Sequence, residues 1–247
     1  MTDDQNYTAR IESYANYLPG YPTAYIDYLT QRGKLRDDSI IADIGAGAGI
    51  LAKAIAPRVN RVLAVELDEK MRLAGVENCR SVPNITVIPG SAEGTGLESS
   101  SIDLLTAGQS FHYFDTEASK LEFRRILKPG GLTALSWHIR VRDYLFGEAF
   151  ENLMRQFCPD YRGASVNEWP TGQFFKNGEY ERRTFANHRL VDLETLIGYA
   201  LSMPFSPTKG EARFSEFVEK LATLYDKYSD HGKLELRAAV DSYCGEI

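Results

Sequence analysis

Short apolar runs broken by glycine or acidic residues recur along the first 140 positions. Ser39-Ile40-Ile41-Ala42-Asp43-Ile44 runs into glycines; Arg61-Val62-Leu63-Ala64-Val65 ends on Glu66; Asn84-Ile85-Thr86-Val87-Ile88 ends on Pro89-Gly90; Ile102-Asp103-Leu104-Leu105-Thr106-Ala107 ends on Gly108. Runs of this length suit strands buried on both faces of a parallel sheet. Between them lie segments with helical spacing, such as Ile50 to Ala56 and Asp115 to Leu127. In the second, Asp115 or Thr116 can cap the first turn and Lys128-Pro129-Gly130-Gly131 can stop the last. A fifth strand, Leu132 to Trp137, follows. Strands alternating with helices predict βαβ units with right-handed crossovers, hence a parallel sheet with helices on both faces.

Beyond Trp137 the pattern changes character. A helix is expected from Tyr144 to Phe157, then a loop rich in Gly, Pro and aromatics from Pro159 to Gly178, then a strand from Arg182 to Val191. Helical stretches Leu193 to Met203 and Glu211 to Tyr228 follow, and the alternating segment Leu234 to Val240 reads as a last strand. The stretch before residue 34, with Tyr7, Tyr14, Tyr17, Tyr21 and Tyr25, looks like helices leading into the first strand. The expected fold is α/β, a doubly wound, mostly parallel seven-stranded sheet with an antiparallel last strand. It forms a single domain over 1–247: an N-terminal helical segment (1–36), a core (37–140) and a C-terminal part (141–247) whose helices cover a substrate.

Composition narrows the partners. A chain of 247 residues with 43% hydrophobic and 25% charged side chains fits one sizeable packed domain. Its net charge of −6 supplies no global field for phosphates, so a small molecule is expected rather than nucleic acid or an anionic membrane. Cys79, Cys158 and Cys244 are far apart without C-x-x-C spacing, suggesting neither a disulfide framework nor a zinc site. No metal is expected. Met1-Thr2-Asp3-Asp4 is unlike the start of a signal peptide, and no apolar run approaches the roughly 18 residues of a membrane span. A cytoplasmic location is expected.

The sharpest chemical feature is Asp43-Ile44-Gly45-Ala46-Gly47-Ala48-Gly49, directly after a strand and before a helix. Glycines there allow a tight turn and let a ligand approach the main chain. The dinucleotide fingerprint G-x-G-x-x-G/A is not met, because its third small position falls on Ile50. A phosphate loop would need Gly-Lys-Ser/Thr, which is absent. Asp43 at the strand end suits a cationic ligand such as S-adenosyl-L-methionine (SAM), which carries an ammonium and a sulfonium, and is awkward beside a pyrophosphate. Glu66, at the end of the second strand, is placed to accept bonds from ribose hydroxyls.

These residues, with Gly90-Ser91-Ala92-Glu93, Gln109-Ser110-Phe111-His112-Tyr113-Phe114 and Leu127-Lys128-Pro129-Gly130-Gly131, resemble the successive motifs of class I SAM-dependent methyltransferases. The likeness is strongest to the small-molecule group around the ubiquinone/menaquinone and trans-aconitate methyltransferases, of the methyltransferase type 11 domain. It implies that Asp43 and the backbone of Gly45, Ala46 and Gly47 hold the methionine end of SAM and Glu66 the ribose. It implies also that Leu67 flanks the adenine, that Ser91, Ala92 and Glu93 meet its edge, and that Gln109 and Ser110 line the floor under the methyl group. Many relatives carry Asp at Ser91, and Tyr-Arg-Pro where this chain has Tyr17-Leu18-Pro19.

His112, after the fourth strand, is a candidate general base or positioning group; its alternative is packing beneath the cofactor. His138 is a candidate pocket residue, and His188 and His231 are expected at the surface. Trp169, Phe174, Phe175, Tyr199 and Phe205 could roof a substrate pocket or be ordinary core. The pairs Arg124-Arg125 and Arg182-Arg183 are expected on solvated faces. The expected activity is transfer of a methyl group from SAM to a small-molecule acceptor by direct displacement, leaving S-adenosyl-L-homocysteine. The alternatives are a non-catalytic SAM-fold binding protein and a nicotinamide-dependent oxidoreductase.

Overall fold

The computed structural model describes residues 11, 13, 15–161 and 172–247. The apolar runs form the strands they predict: β1 (Ile40–Ile44), β2 (Arg61–Glu66), β3 (Ile85–Pro89) and β4 (Ile102–Gly108). β1 pairs in parallel with both β2 and β4, and β2 with β3. Side chains alternate across the sheet, so Ile41, Val62, Ala64 and Leu104 enter one apolar cluster while Ala42, Ile44, Val65 and Leu105 enter another. Helices α1 (Thr23–Arg32) and α2 (Ile50–Ile55) pack into the first cluster, and α4 (Thr116–Ile126) into the second. Helix α3 (Glu69–Cys79) lies between β2 and β3 in sequence. Its N-terminus is capped by Asp68, which accepts from the Met71 amide, and that of α4 by Asp115, which accepts from Glu117 and Ala118.

The sheet has seven strands in the order β3-β2-β1-β4-β5-β9-β6, mostly parallel with one antiparallel strand. Its remaining members are β5 (Leu127–Arg140), β6 (Glu181–Ala186) and β9 (Ala238–Gly245). The last strand in the chain thus inserts between two earlier ones. Lys128-Pro129-Gly130-Gly131 does not follow the end of α4 as a separate stop. Helix α4 ends at Ile126, and the four residues bulge from β5 between the pairings Ile102↔Leu127 and Leu104↔Leu132.

The described residues group into two compact units, one of 20–138, 172–185 and 240–247, the other of 11–19, 139–161 and 186–239. The first carries both apolar clusters above. The second has its own core: Phe146, Phe150 and Met154 of α5 (Leu145–Phe157), Leu196 and Tyr199 of α6 (Leu193–Leu201), and Phe217 and Leu221 of α7 (Phe214–Tyr228). A two-stranded antiparallel sheet, β7 (Arg189–Val191) with β8 (Leu234–Leu236), belongs to it.

Two expected strands are each divided. Arg182 to Val191 is β6 and β7, which sit in different sheets, and Leu234 to Val240 is β8 and the start of β9. The breaks face each other: the Asn187 amide donates to the Ala238 carbonyl at 2.8 Å, while Arg237 takes up Tyr144 Oη and the Val141 amide instead of a ladder partner. Tyr7, Tyr14 and Trp169 lie outside the described residues. Among those described, no helix is long and apolar enough to cross a membrane.

Candidate active site

The turn after β1 is built from glycines in the left-handed region, Gly45 (φ 65°), Gly47 (φ 56°) and Gly49 (φ 76°). The amides of Gly45 and Ala46 both donate to the Val65 carbonyl, which fastens the turn to β2. A Cβ on Gly45 would stand 2.5 Å from Ser110 Cβ, so that position is closed to any side chain. Around Gly47 the corresponding space is open to 4 Å, leaving main chain exposed to a ligand. Helix α3 backs the turn: Asn78 Nδ2 donates to the Ala48 carbonyl at 2.8 Å, a Cβ on Gly75 would meet the Gly47 carbonyl at 2.9 Å, and Cys79 Sγ packs where Gly49 has no side chain. These three supports were not expected from the sequence. Only Gly75, a glycine inside a helix, carries a local signal of close packing.

Register places Asp43 opposite Thr106, and the Thr106 hydroxyl donates to Asp43 Oδ1 at 2.8 Å. Oδ2, equally buried, has no hydrogen-bond partner. Burial pushes the carboxyl up to about 7, with the Thr106 hydroxyl and the Ala52 backbone amide pulling it partly back. Glu66 is also buried: its Oε2 accepts from the Gly47 amide at 2.7 Å and its Oε1 from the Asp68 amide at 2.8 Å. It therefore links the glycine turn to the first turn of α3.

Leu67 follows with 70% of its surface exposed, an uncovered apolar side chain beside the Glu66 carboxylate. Ala92 is buried, and Ser91 and Gly94 exchange backbone hydrogen bonds in a tight loop. Glu93 is exposed, and its carboxylate accepts from the Asp115 amide at 2.9 Å, at the start of α4. Gln109 adopts φ 60° after β4 and donates its amide to the Ser136 carbonyl, and Ser110 donates its hydroxyl to the Ile44 carbonyl at 2.8 Å. The structure thus joins Asp43, Gly45, Gly47, Glu66 and Ser110 in one bonded and packed set, with Gln109 beside it in the chain. His112 is exposed, its ring 4.0 Å from that of Tyr113, and partial desolvation lowers its pKa.

Tyr21 joins the edge of this set: its hydroxyl rests on the Gly108 backbone, and its ring meets His138 edge-on at 4.6 Å. Phe174 and Phe175 are core rather than roof, fully buried with Phe111 and Phe123. Tyr199 is buried in the core of the second unit, and Phe205 packs against it. Arg124, Arg125, Arg182 and Arg183 are exposed, as expected, and within those faces Arg182 pairs with buried Asp241 at 2.9 Å and Arg125 with Glu122 at 2.7 Å.

Comparison with known proteins places this arrangement. The methyltransferase-domain family model matches residues 42–135, from within β1 to within β5. An uncharacterized methyltransferase of Schizosaccharomyces pombe is 34% identical over 64% of this chain, and the match covers 60% of that relative's length. A second, methyltransferase-like protein of that yeast is 31% identical, the match covering 78% of this chain and 75% of the relative. Among solved structures, a type II methyltransferase from Anaeromyxobacter dehalogenans has the same fold at 20% identity, with a TM-score of 0.69 and 93% and 98% of the two chains covered. A strand order with the last strand inserted, a glycine turn joined to an acidic β2 terminus, and a relative matched over three quarters of its length have one common explanation: the chain belongs to the class I SAM-dependent methyltransferases.

Proposed function

We propose that this chain binds SAM at the turn between β1 and α2 and transfers its methyl group to a small-molecule acceptor by direct displacement. The observation that carries the reading is the pairing of an open main-chain face at Gly47 with a buried, unpartnered Asp43 Oδ2 beside it in the same turn. A buried acceptor without a donor costs free energy that a ligand ammonium would offset. The donor set fits this cofactor: Asp43 and the Gly45–Gly47 backbone for the methionine end, Glu66 for the ribose, Leu67 and the Ser91-Ala92-Glu93 loop for the adenine, and Gln109 and Ser110 below the methyl group.

When bound, SAM supplies a methyl group activated by the sulfonium. What the chain contributes is positioning: an acceptor atom held in line and screened from water needs no covalent intermediate. His112, whose pKa partial desolvation lowers, would take a proton from an acceptor hydroxyl. The net charge of −6 supports a small-molecule acceptor over nucleic acid.

Isothermal titration with SAM, S-adenosylhomocysteine and NAD tests the reading. Saturable binding of SAM and its product without NAD binding is expected. Binding of NAD alone would transfer the site to hydride chemistry, and SAM binding without turnover across a broad acceptor screen would favour a non-catalytic role.

A further inference from the structure

Helix α3 turns its larger apolar side chains outward. Toward the glycine turn it presents only small or polar groups, Gly75, Asn78 and Cys79. Leu73 and Val76, one helical turn apart, are 62% and 49% exposed. An amphipathic surface helix does the reverse, burying its aliphatic stripe and showing polar residues to water. Exposed aliphatic residues scattered singly need no explanation, but these two are neighbours on one face.

The charges on that face are arranged about a centre. Glu69, Leu73, Val76 and Arg80 follow one another at intervals of four, three and four residues, which puts all four on one stripe. Arg80 caps the helix with φ −56° and ψ −28°, still helical, so the stripe extends to it. Glu69 and Arg80 are both exposed, and Arg80 pairs only with Glu77 of its own helix, at 3.1 Å. Laid antiparallel on a copy of itself, the stripe sets Glu69 against Arg80 at each end and Leu73 against Val76 twice at the middle. Such self-complementarity is what a two-fold contact requires. One acid and one base also leave the stripe neutral in a chain of net charge −6, so two copies are not driven apart there.

We propose that α3 docks antiparallel on α3 of a second copy of this chain, with Leu73 and Val76 at the centre and Glu69 and Arg80 at the ends. The other route to self-association, strand addition at the sheet edge β3, is blunted by Pro89, which ends that five-residue strand and has no amide to donate. One helix face covers less than the roughly 800 Å² per partner of a stable interface, so the dimer is a weak one, with a dissociation constant on the order of 100 μM. The contact is independent of what the glycine turn binds.

Sedimentation velocity of the full chain from about 5 to about 500 μM is the test, and the wild type is expected to move toward a dimer across that range. Glu69→Arg sets like charges against each other at both ends of the contact, and so does Arg80→Glu. Each variant alone should dimerise about tenfold more weakly, because two ion pairs become two repulsions. Mixed in equal amounts, the two variants are complementary again and should associate about as tightly as the wild type, a rescue that a merely destabilised helix cannot give. Leu73→Ser leaves every charge in place and should also weaken the dimer, which keeps the test intact should a charge variant melt early. A wild type that stays monomeric at the highest concentration overturns the proposal and leaves the face to another partner. Variants that associate as well as the wild type place the dimer elsewhere on the molecule, and a mixture no more associated than its components overturns the antiparallel pairing.

Discussion

The Thr106 hydroxyl holds Asp43 by one oxygen only, donating to Oδ1 at 2.8 Å and leaving Oδ2 buried and alone. With the folded carboxyl pushed up to about 7 against an ordinary value of 3.8, the fold favours the protonated form. Its stabilising contribution is complete below the ordinary value and is lost as pH rises through about 7. Asp43→Asn removes that titration. The variant is expected to be more stable than the wild type at pH 8, by on the order of a few kcal/mol, and nearly equal at pH 4. Denaturant unfolding at the two pH values measures the difference, and parallel pH profiles would contradict it.

The same carboxyl ties cofactor binding to protons. A cationic ligand favours the ionised form, so SAM binding at pH 6.5 should release a fraction of a proton. Titrations in MES and in imidazole, whose ionisation heats differ, report the release. It should vanish in Asp43→Asn.

How much of this was legible beforehand follows from the range of each signal. The glycine turn, Glu66 and the Asp115 cap are local, and their geometry follows from a few neighbouring residues. The bounds of α3, a crossover helix that the βαβ pattern implies, were not legible, because only Gly75 and Cys79 of Glu69–Cys79 are buried and no apolar stripe marks its inner face. The division of Arg182 to Val191 was hidden because the strand pattern runs through it unbroken. What splits it is pairing with β9 on one side and β8 on the other, which is decided by residues some fifty positions later. Thr106 beside Asp43 is likewise a product of register, with no local trace.

Gly45 and Gly47 should separate folding from binding. Both sit at positive φ, so alanine at either costs roughly 1–2 kcal/mol in backbone strain. Gly45→Ala adds the clash with Ser110 Cβ and should lose further stability. Gly47→Ala meets open space, so it should stay folded yet bind SAM at least tenfold more weakly, its methyl occupying the ligand face. Melting temperature and calorimetry together distinguish the two.

Glu122 anchors the segment that follows the Ser91-Ala92-Glu93 loop: it accepts from the Thr95 amide and hydroxyl and is clamped by Arg125, which also donates to the Leu97 carbonyl. The Arg125 and Thr95 bonds hold its carboxyl down at about 2. Its contribution is therefore present above the ordinary value of 4.5 and lost as pH falls through about 2. Because Arg125 is partly exposed, Glu122→Gln is expected to cost only ~1–2 kcal/mol at pH 7. The cost should shrink as pH falls below 4.5, which acid-dependent unfolding of the two proteins measures.

Glu66 carries the strongest prediction because both of its oxygens already have structural work. Oε2 holds the Gly47 amide and Oε1 the Asp68 amide, so ribose hydroxyls would use the remaining lone pairs of the same carboxylate. Glutamine is then not a mild substitution. Whichever way its amide turns, an NH2 faces a backbone N–H, and either the glycine turn or the start of α3 loses its acceptor. Glu66→Gln should weaken SAM binding about tenfold or more and cost ~1–3 kcal/mol of stability, because a buried donor is left unpaired. Glu66→Ala should do the same without the repulsion, so the glutamine variant should be no more stable than the alanine one. A glutamine variant that melts and binds like the wild type would mean that the carboxylate neither holds the turn nor meets the ribose.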